Sequence, residues 1–101
     1  MRDYRRDKVA EIRVLKKMPY ASAHVVICED GSIILVSYRT DVVRIDKDGW
    51  MEVTGLYSAT TRRHISRFME EYTDRNYYFA KELYEKGIRY NLNTGEVVAI
   101  E

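Results

Sequence analysis

Apolar and polar residues alternate along much of the first half of the chain. This pattern is typical of strands, whose successive side chains point to opposite faces. Residues 9–17 alternate in this way, with Ala10, Ile12 and Val14 on one face. A helical stripe through Ile12 and Lys16 is a competing pattern. We favour the strand for this segment.

The dipeptide Asp30-Gly31 predicts a hairpin, since a two-residue type I′ turn needs positive φ at both central positions. The register pairs Glu29 with Ser32, Cys28 with Ile33, Ile27 with Ile34 and Val25 with Val36. Both faces of residues 25–36 are apolar. Helices can cover one of these faces, so we expect the other to be covered by further helix or to support a homodimer.

Two further hairpins are predicted around three-residue loops that end in glycine. In the first, Lys47-Asp48-Gly49 is the loop that sorts apolar from charged residues on the two faces. Its register pairs Ile45 with Met51, Val43 with Val53 and Arg44 with Glu52. The loop Asn93-Thr94-Gly95 follows the same logic near the end of the chain. It pairs Tyr90 with Val98 and Ile88 with Ile100.

Between the second and third hairpins the apolar period changes to that of a helix. The first helical stripe contains Ile65, Phe68, Met69 and Tyr72. Ser58, Thr60 or Thr61 can cap the start of this helix. A second helix begins after Thr73 or Asp74, buries Phe79, Ala80 and Leu83, and ends at Gly87 as a left-handed C′ residue.

This order of elements predicts an α+β fold. We expect an antiparallel sheet built from hairpins, with about 5–7 strands and two consecutive helices packed on one face. The 101 residues suit a single domain. Residues 1–7 are polar and are expected to be flexible.

Composition favours a soluble protein of a reducing compartment. The chain has a net charge of +1 and a single cysteine, so it forms no internal disulfide. The charged start lacks the apolar segment of a signal peptide, and no apolar run approaches the length of a membrane span. We therefore expect a cytoplasmic protein with no membrane partner.

The candidate chemistry is sparse. His24 and Cys28 are separated by roughly 13 Å along one predicted strand, too far to chelate one ion. A nucleophilic pair of Cys28 with His64 lacks a third, orienting group, and burial in a strand makes a thiol inert. We expect no enzyme, no metal and no cofactor.

Nine tyrosines and eleven arginines are the most distinctive feature of the composition. Tyrosine and arginine are enriched at protein hot spots, so we expect a protein partner. The residues expected to contact it are Tyr57, Arg62, Arg63, Arg67, Tyr77 and Tyr78. Nucleic acid is the alternative partner, because tyrosines stack on bases and arginines hold phosphates. The residues expected for that function are Arg2, Arg5, Arg6, Arg62, Arg63 and Arg67.

One pattern carries a resemblance to a family. S-Y-x-T-x-V begins at Ser37, and Y-S-x-T-T-x-x-H-I-x-x-F-x-x-E-Y begins at Tyr57. Together they resemble a motif in small uncharacterised proteins encoded by phages and mobile elements of Gram-positive bacteria. The resemblance implies a protein that works inside a bacterial host cell and binds a host or self protein, such as an inhibitor of a defence system, for example a CRISPR effector. The motif fits either a binding site or a helix cap with core residues.

Overall fold

The computed structural model describes residues 8–100. The predicted flexibility of residues 1–7 lies outside the described residues. The elements follow one another as β1 (Val9–Arg13), β2 (Ala23–Cys28), β3 (Ile33–Ser37), β4 (Thr40–Ile45), β5 (Trp50–Val53), α1 (Ala59–Tyr72), α2 (Tyr77–Lys86), β6 (Ile88–Asn91) and β7 (Val97–Ala99). The fold is therefore α+β, as the order of patterns predicts.

The strands form one antiparallel sheet in which spatial order equals chain order. Within the described residues the sheet has seven strands, from β1 at one edge to β7 at the other. The two helices enter between β5 and β6. The first segment is a strand, as we favoured, but it ends at Arg13, and Leu15 and Met18 then form an isolated bridge.

The register predicted for the β2–β3 hairpin is wrong by one residue. The structure pairs Ile27 with Ile33 and Val25 with Leu35. The loop has three residues rather than two, because Gly31 takes a φ of 94° and its N–H donates to the carbonyl of Cys28 at 3.0 Å. Both faces of this hairpin are apolar, so the side-chain pattern could not reveal the slip.

The β4–β5 hairpin has the predicted register. Val43 pairs with Val53, Arg44 with Glu52 and Ile45 with Met51. The β6–β7 hairpin differs by one residue from its prediction, since Tyr90 pairs with Val97 and Ile88 with Ala99. Its loop is longer because the side chain of Asn91 accepts the N–H groups of Asn93 and Thr94 at 2.8 and 3.0 Å.

Both helices have the caps that their sequences favour. Ser58 is the N-cap of α1, and its hydroxyl accepts the N–H of Thr61 at 3.1 Å. Asn76 caps α2, which therefore starts slightly later than predicted. Gly87 ends α2 in the left-handed conformation, and its N–H reaches the carbonyls of Leu83 and Tyr84.

The core consists of two clusters. The larger one joins the predicted stripes of α1 and α2 to alternate residues of the sheet, among them Val25, Leu35, Val43 and Met51. The smaller one contains the intervening residues Val26, Cys28, Ile34 and Val36. Both apolar faces of the β2–β3 hairpin are thus buried. The face on which we expected a homodimer to form is not open.

Gly49 lies where the β4–β5 loop contacts the β6–β7 loop. It has a φ of 93°, and a Cβ at this position would lie 2.5 Å from Nδ2 of Asn93. That Nδ2 donates to the carbonyl of Asp48 at 3.1 Å, which ties the β4–β5 loop to the β6–β7 loop. Gly31 has nearly the same φ, but a Cβ at that position would meet no atom within 4 Å.

We expect Gly49→Ala to lower the free energy of unfolding by about 1–2 kcal/mol more than Gly31→Ala. Both substitutions carry the strain of a positive φ, but only the first displaces the amide of Asn93. Urea denaturation of the two variants beside the native protein measures the difference. Equal losses would show that the contact between the loops contributes little to stability.

Candidate binding surface at the start of the first helix

Four segments of the chain meet where α1 begins. The β1–β2 connection joins the β3–β4 turn because the N–H of Tyr38 donates to the carbonyl of Ser22 at 2.7 Å. The segment that leads into α1 joins the start of β4, directly after this turn, through Thr54. Its N–H donates to the carbonyl of Val42 at 2.9 Å, and its hydroxyl donates to that of Asp41 at 2.7 Å.

A chain of polar groups, exposed at Ser58 and buried at Thr61, Ser37 and His64, fixes α1 against the end of β3. The hydroxyl of Ser58 donates to Oγ1 of Thr61 at 3.2 Å. Oγ1 of Thr61 lies 3.1 Å from Oγ of Ser37, which lies 2.8 Å from Nδ1 of His64. Either oxygen of the Ser37–Thr61 pair can donate, and the role of Nδ1 in its bond to Ser37 depends on the imidazole tautomer.

His64 is held neutral in this environment. Its side chain is fully buried, and burial lowers its pKa, with a further contribution from the charge of Arg63. Nε2 is buried without a hydrogen-bond partner among the described residues. The ring of Tyr38 lies beside the imidazole, with 5.9 Å between the ring centroids.

Tyr38 adopts a backbone conformation that favours glycine or asparagine. Its φ is 58°, and it is the one non-glycine residue of the described chain with a positive φ. A left-handed residue with a bulky side chain costs about 1–2 kcal/mol. The cost is offset by the backbone bond to Ser22 and by contact with His64. Strain that is retained in this way often marks a functional position.

Tyr57 is placed by a glycine that leaves room for it. A Cβ on Gly55 would overlap the ring of Tyr57, so the ring lies directly against this backbone. Its hydroxyl is 3.4 Å from the carbonyl of Thr54. Even so, Tyr57 is 65% exposed. The ring is therefore held in one position while most of it faces solvent.

These segments together carry an exposed aromatic and basic surface. It consists of Tyr20, Tyr38, Arg39, Tyr57, Arg62 and Arg63, which we call the tyrosine–arginine surface. Tyr20 is 100% exposed and Tyr38 54%. The segments 18–22, 37–41 and 54–63 contain one acidic residue, Asp41, and it is buried. The exposed charge within these segments is therefore positive, while Glu52 of β5 lines one cleft together with Tyr57.

The residues predicted to bind a partner are divided by the structure. Tyr57, Arg62 and Arg63 lie on the tyrosine–arginine surface. Arg67 lies further along α1, where its guanidinium contacts the carboxylate of Glu70 at 3.3 Å.

Tyr77 and Tyr78 begin α2, with 5.6 Å between their ring centroids. Tyr77 packs partly into the larger core cluster, whereas Tyr78 is 73% exposed. Of the residues predicted for nucleic acid, Arg2, Arg5 and Arg6 lie outside the described residues. The structure thus separates the sequence-predicted set into three places.

The other candidates for chemistry do not converge. His64 contacts Ser37, and Ser37 pairs with Ala23 at the first residue of β2. Cys28 is the last residue of β2, roughly 16 Å further along the strand, so it lies far from His64. Within residues 8–100, no group of three or more histidine, cysteine, aspartate or glutamate residues is arranged to hold a metal ion. Neither α1 nor α2 is long and apolar enough to cross a membrane.

Fold and surface define a small α+β protein whose described residues form a seven-stranded antiparallel sheet and an exposed set of tyrosines and arginines. Residues 13–86 match the model of a family of unknown function, DUF8033, and the chain belongs to that family. The matched range contains both helices and the whole tyrosine–arginine surface. No curated protein and no solved structure matches the chain.

The neutral state of His64 predicts a dependence of stability on pH. Because its pKa is lower in the folded protein, the unfolded chain takes up a proton first as the pH falls below roughly 6.5. The free energy of unfolding should then decrease by up to about 1.4 kcal/mol per pH unit. Above that pH, His64 should not change the free energy of unfolding.

Urea denaturation between pH 5 and pH 8 measures this slope. In His64→Gln the amide can keep a contact with Ser37 but cannot take up a proton, so the slope below pH 6.5 should be smaller than in the native protein. An unchanged slope would contradict the neutral assignment.

Ser37→Ala tests the polar chain itself. The substitution leaves the hydroxyl of Thr61 and Nδ1 of His64 without their buried partner. It should therefore lower the free energy of unfolding by about 1–3 kcal/mol. Ser66→Ala on α1 is the matched control and should change it by less than about 0.5 kcal/mol. Similar small effects of both substitutions would show that the chain is not a structural constraint.

Proposed function

We propose that this protein is a non-catalytic binding protein whose tyrosine–arginine surface docks onto an acidic surface of another protein. The observation that carries the proposal is the convergence of three exposed tyrosines and three arginines where α1 begins. These residues come from three different connections and from one helix. A phage or mobile-element setting, with a host protein as the partner, agrees with the motif resemblance.

The chemistry of the surface supports a protein partner. Tyrosine and arginine combine a large contact area with directional hydrogen bonds, and they are enriched among residues that dominate binding energies. The rings of Tyr38 and Tyr57 are held by His64 and Gly55, so little side-chain entropy is lost when they are covered. Arg39, Arg62 and Arg63 supply a positive potential that selects an acidic partner.

The position of the helices supports the same surface. We infer that α1 and α2 cover one face of the sheet, because their buried residues share a cluster with alternate strand residues. The tyrosine–arginine surface then lies at the end of the sheet rather than on the outer side of the helical layer. In that position four of its six residues lie in loops, which commonly carry binding residues on a rigid scaffold, and Arg62 and Arg63 lie near the start of α1.

Nucleic acid is less favoured by the observations. The net charge of the chain is only +1, and Arg67, predicted for phosphate contact, is paired with Glu70. Binding through phosphates requires several unpaired cations and weakens steeply with salt. The two partner classes can therefore be separated in one set of measurements.

The experiment compares capture of partners from a nuclease-treated bacterial lysate by two immobilised variants and the native protein. In the first variant, Arg62→Glu and Arg63→Glu reverse the charge of the surface. In the control, Lys47→Glu and Lys86→Glu make the same change of net charge elsewhere. We expect an acidic protein bound by the native protein and the control but reduced at least ~10-fold by the first variant.

Two results would contradict the proposal. One is equal capture by both variants, which would show that binding depends on net charge or on another surface. The other is binding of a labelled 20-nucleotide single strand that falls steeply with added salt and is lost in the Arg62/Arg63 variant. That second result would assign the surface to nucleic acid instead.

A further inference from the structure

Strand β1 is the most exposed element of the fold. It pairs with β2 on one side, and no strand within residues 8–100 lies on its other side. All five of its residues are exposed. Ile12 is 59% exposed, and Val9 and Val14 are 37% and 54% exposed. An edge strand of this kind presents unpaired backbone groups and apolar side chains to solvent.

Two of the devices that protect such an edge, a proline and a bulge, are absent from the centre of β1, where the charged residues Glu11 and Arg13 are the remaining protection. The strand contains no proline, and its bulge lies between Val9 and Glu11, before the central residues. From Glu11 to Arg13 the strand pairs regularly with β2. The other edge, β7, has only three residues. Short strands are a common protection, and β1 is longer.

The centre of β1 is complementary to itself. Glu11 and Arg13 are two residues apart and therefore point to one face, while Ile12 points to the other. If a second copy pairs antiparallel about Ile12, each Glu11 faces an Arg13 of the other copy and the two Ile12 side chains face each other. Opposite charges and paired β-branched residues are both favourable as cross-strand neighbours.

Other registers lack this complementarity. An antiparallel pairing centred on Glu11 places two carboxylates opposite each other, and one centred on Arg13 places two guanidinium groups opposite each other. A shift by one residue sets Ile12 against a charged side chain. Like charges directly opposite destabilise a strand pair. A single arrangement is therefore selected by the sequence of the strand.

We propose that β1 is a self-association surface, which pairs antiparallel with β1 of a second copy about Ile12 and continues the sheet from one copy into the other. In the single chain, Arg13 already contacts Glu11 at 2.8 and 2.9 Å, and both side chains are about half exposed. Exchange of partners between copies requires Arg13 to leave both Glu11 and Tyr72 of its own chain. The contact is short, so we expect the association to be weak.

This inference does not depend on the proposed function. Within β1 it involves Glu11, Ile12 and Arg13, none of which belongs to the tyrosine–arginine surface. Pairing of backbone groups contributes to affinity, while the charges select the register. The charges therefore allow a test in which two non-associating variants recover association only with each other.

Sedimentation equilibrium at submillimolar protein concentration is the measurement. The native chain has a mass of 12.0 kDa and should show a concentration-dependent rise toward twice that mass. Glu11→Arg creates two pairs of facing arginines in a dimer, and Arg13→Glu creates two pairs of facing glutamates. Each variant alone should associate at least ~10-fold more weakly than the native protein.

A mixture of the two variants distinguishes this strand pairing from any other interface. In the mixed dimer, the two arginines that the first variant carries in β1 face the two glutamates that the second variant carries there. Heterodimers should therefore form at about the native affinity. The double reversal in one chain should likewise restore the homodimer. Glu96→Arg, the same charge change before β7, is the control and should not alter association.

Because Glu11 and Arg13 are exposed, the variants should keep the native thermal unfolding temperature, which is measured in parallel. A native protein that stays monomeric at submillimolar concentration overturns the proposal. So does a homodimer that survives Glu11→Arg, or a mixture of the two folded variants that fails to associate.

Discussion

The contact between Ser37 and His64 is the constraint on which the arrangement of the tyrosine–arginine surface depends. Hydroxyl and imidazole groups are costly to bury unless they are hydrogen-bonded. The polar chain from Ser58 to His64 is paired only when the first turns of α1 lie against the end of β3. This requirement fixes the start of the helix beside the β3–β4 turn. As a result, Tyr38 and Arg39 lie near Arg62 and Arg63, although the pairs are far apart in sequence.

The helices and strands could be predicted from local sequence patterns. The register of a hairpin could be predicted only where the pattern distinguishes the two faces of the sheet. In the β4–β5 hairpin, Arg44 opposite Glu52 leaves a single register that separates charge from the core. In the β2–β3 hairpin both faces are apolar, so a slip of one residue changes nothing that the sequence displays. Gly31 decided the outcome there, because it serves a three-residue loop as well as a two-residue one.

The β6–β7 loop is one residue longer than predicted, for a different reason. Asn91 satisfies the N–H groups of two following residues with its own side chain, which stabilises a longer loop than the position of Gly95 suggests. Local side-chain bonds of this kind compete with the strand ladder, and the spacing of apolar residues does not reveal them. The helices were easier to predict, since their caps and stripes are both local signals.

About half of the tyrosine–arginine surface could be predicted from the sequence. Tyr57, Arg62 and Arg63 are neighbours along the chain, at a recognisable helix start, so composition and capping pointed to them. Tyr20, Tyr38 and Arg39 were missed because only the tertiary structure brings them to the same place. The sequence did not predict a turn at Tyr38 either, because a tyrosine rarely adopts a positive φ. The S-Y-x-T pattern was the available clue, through Ser37 and its bond to His64.

The motif can therefore be structural in its buried residues and functional in the exposed residues beside them. Ser37, Thr61 and His64 hold the arrangement, whereas Tyr38, Tyr57 and the arginines face solvent. If β1 pairs two copies, each dimer presents two such surfaces. Two weak docking contacts on one target can then strengthen binding by about 10²–10⁴-fold when the geometry allows both to form. A small chain with a modest surface could reach useful affinity in this way, provided that its target is itself repeated or symmetric.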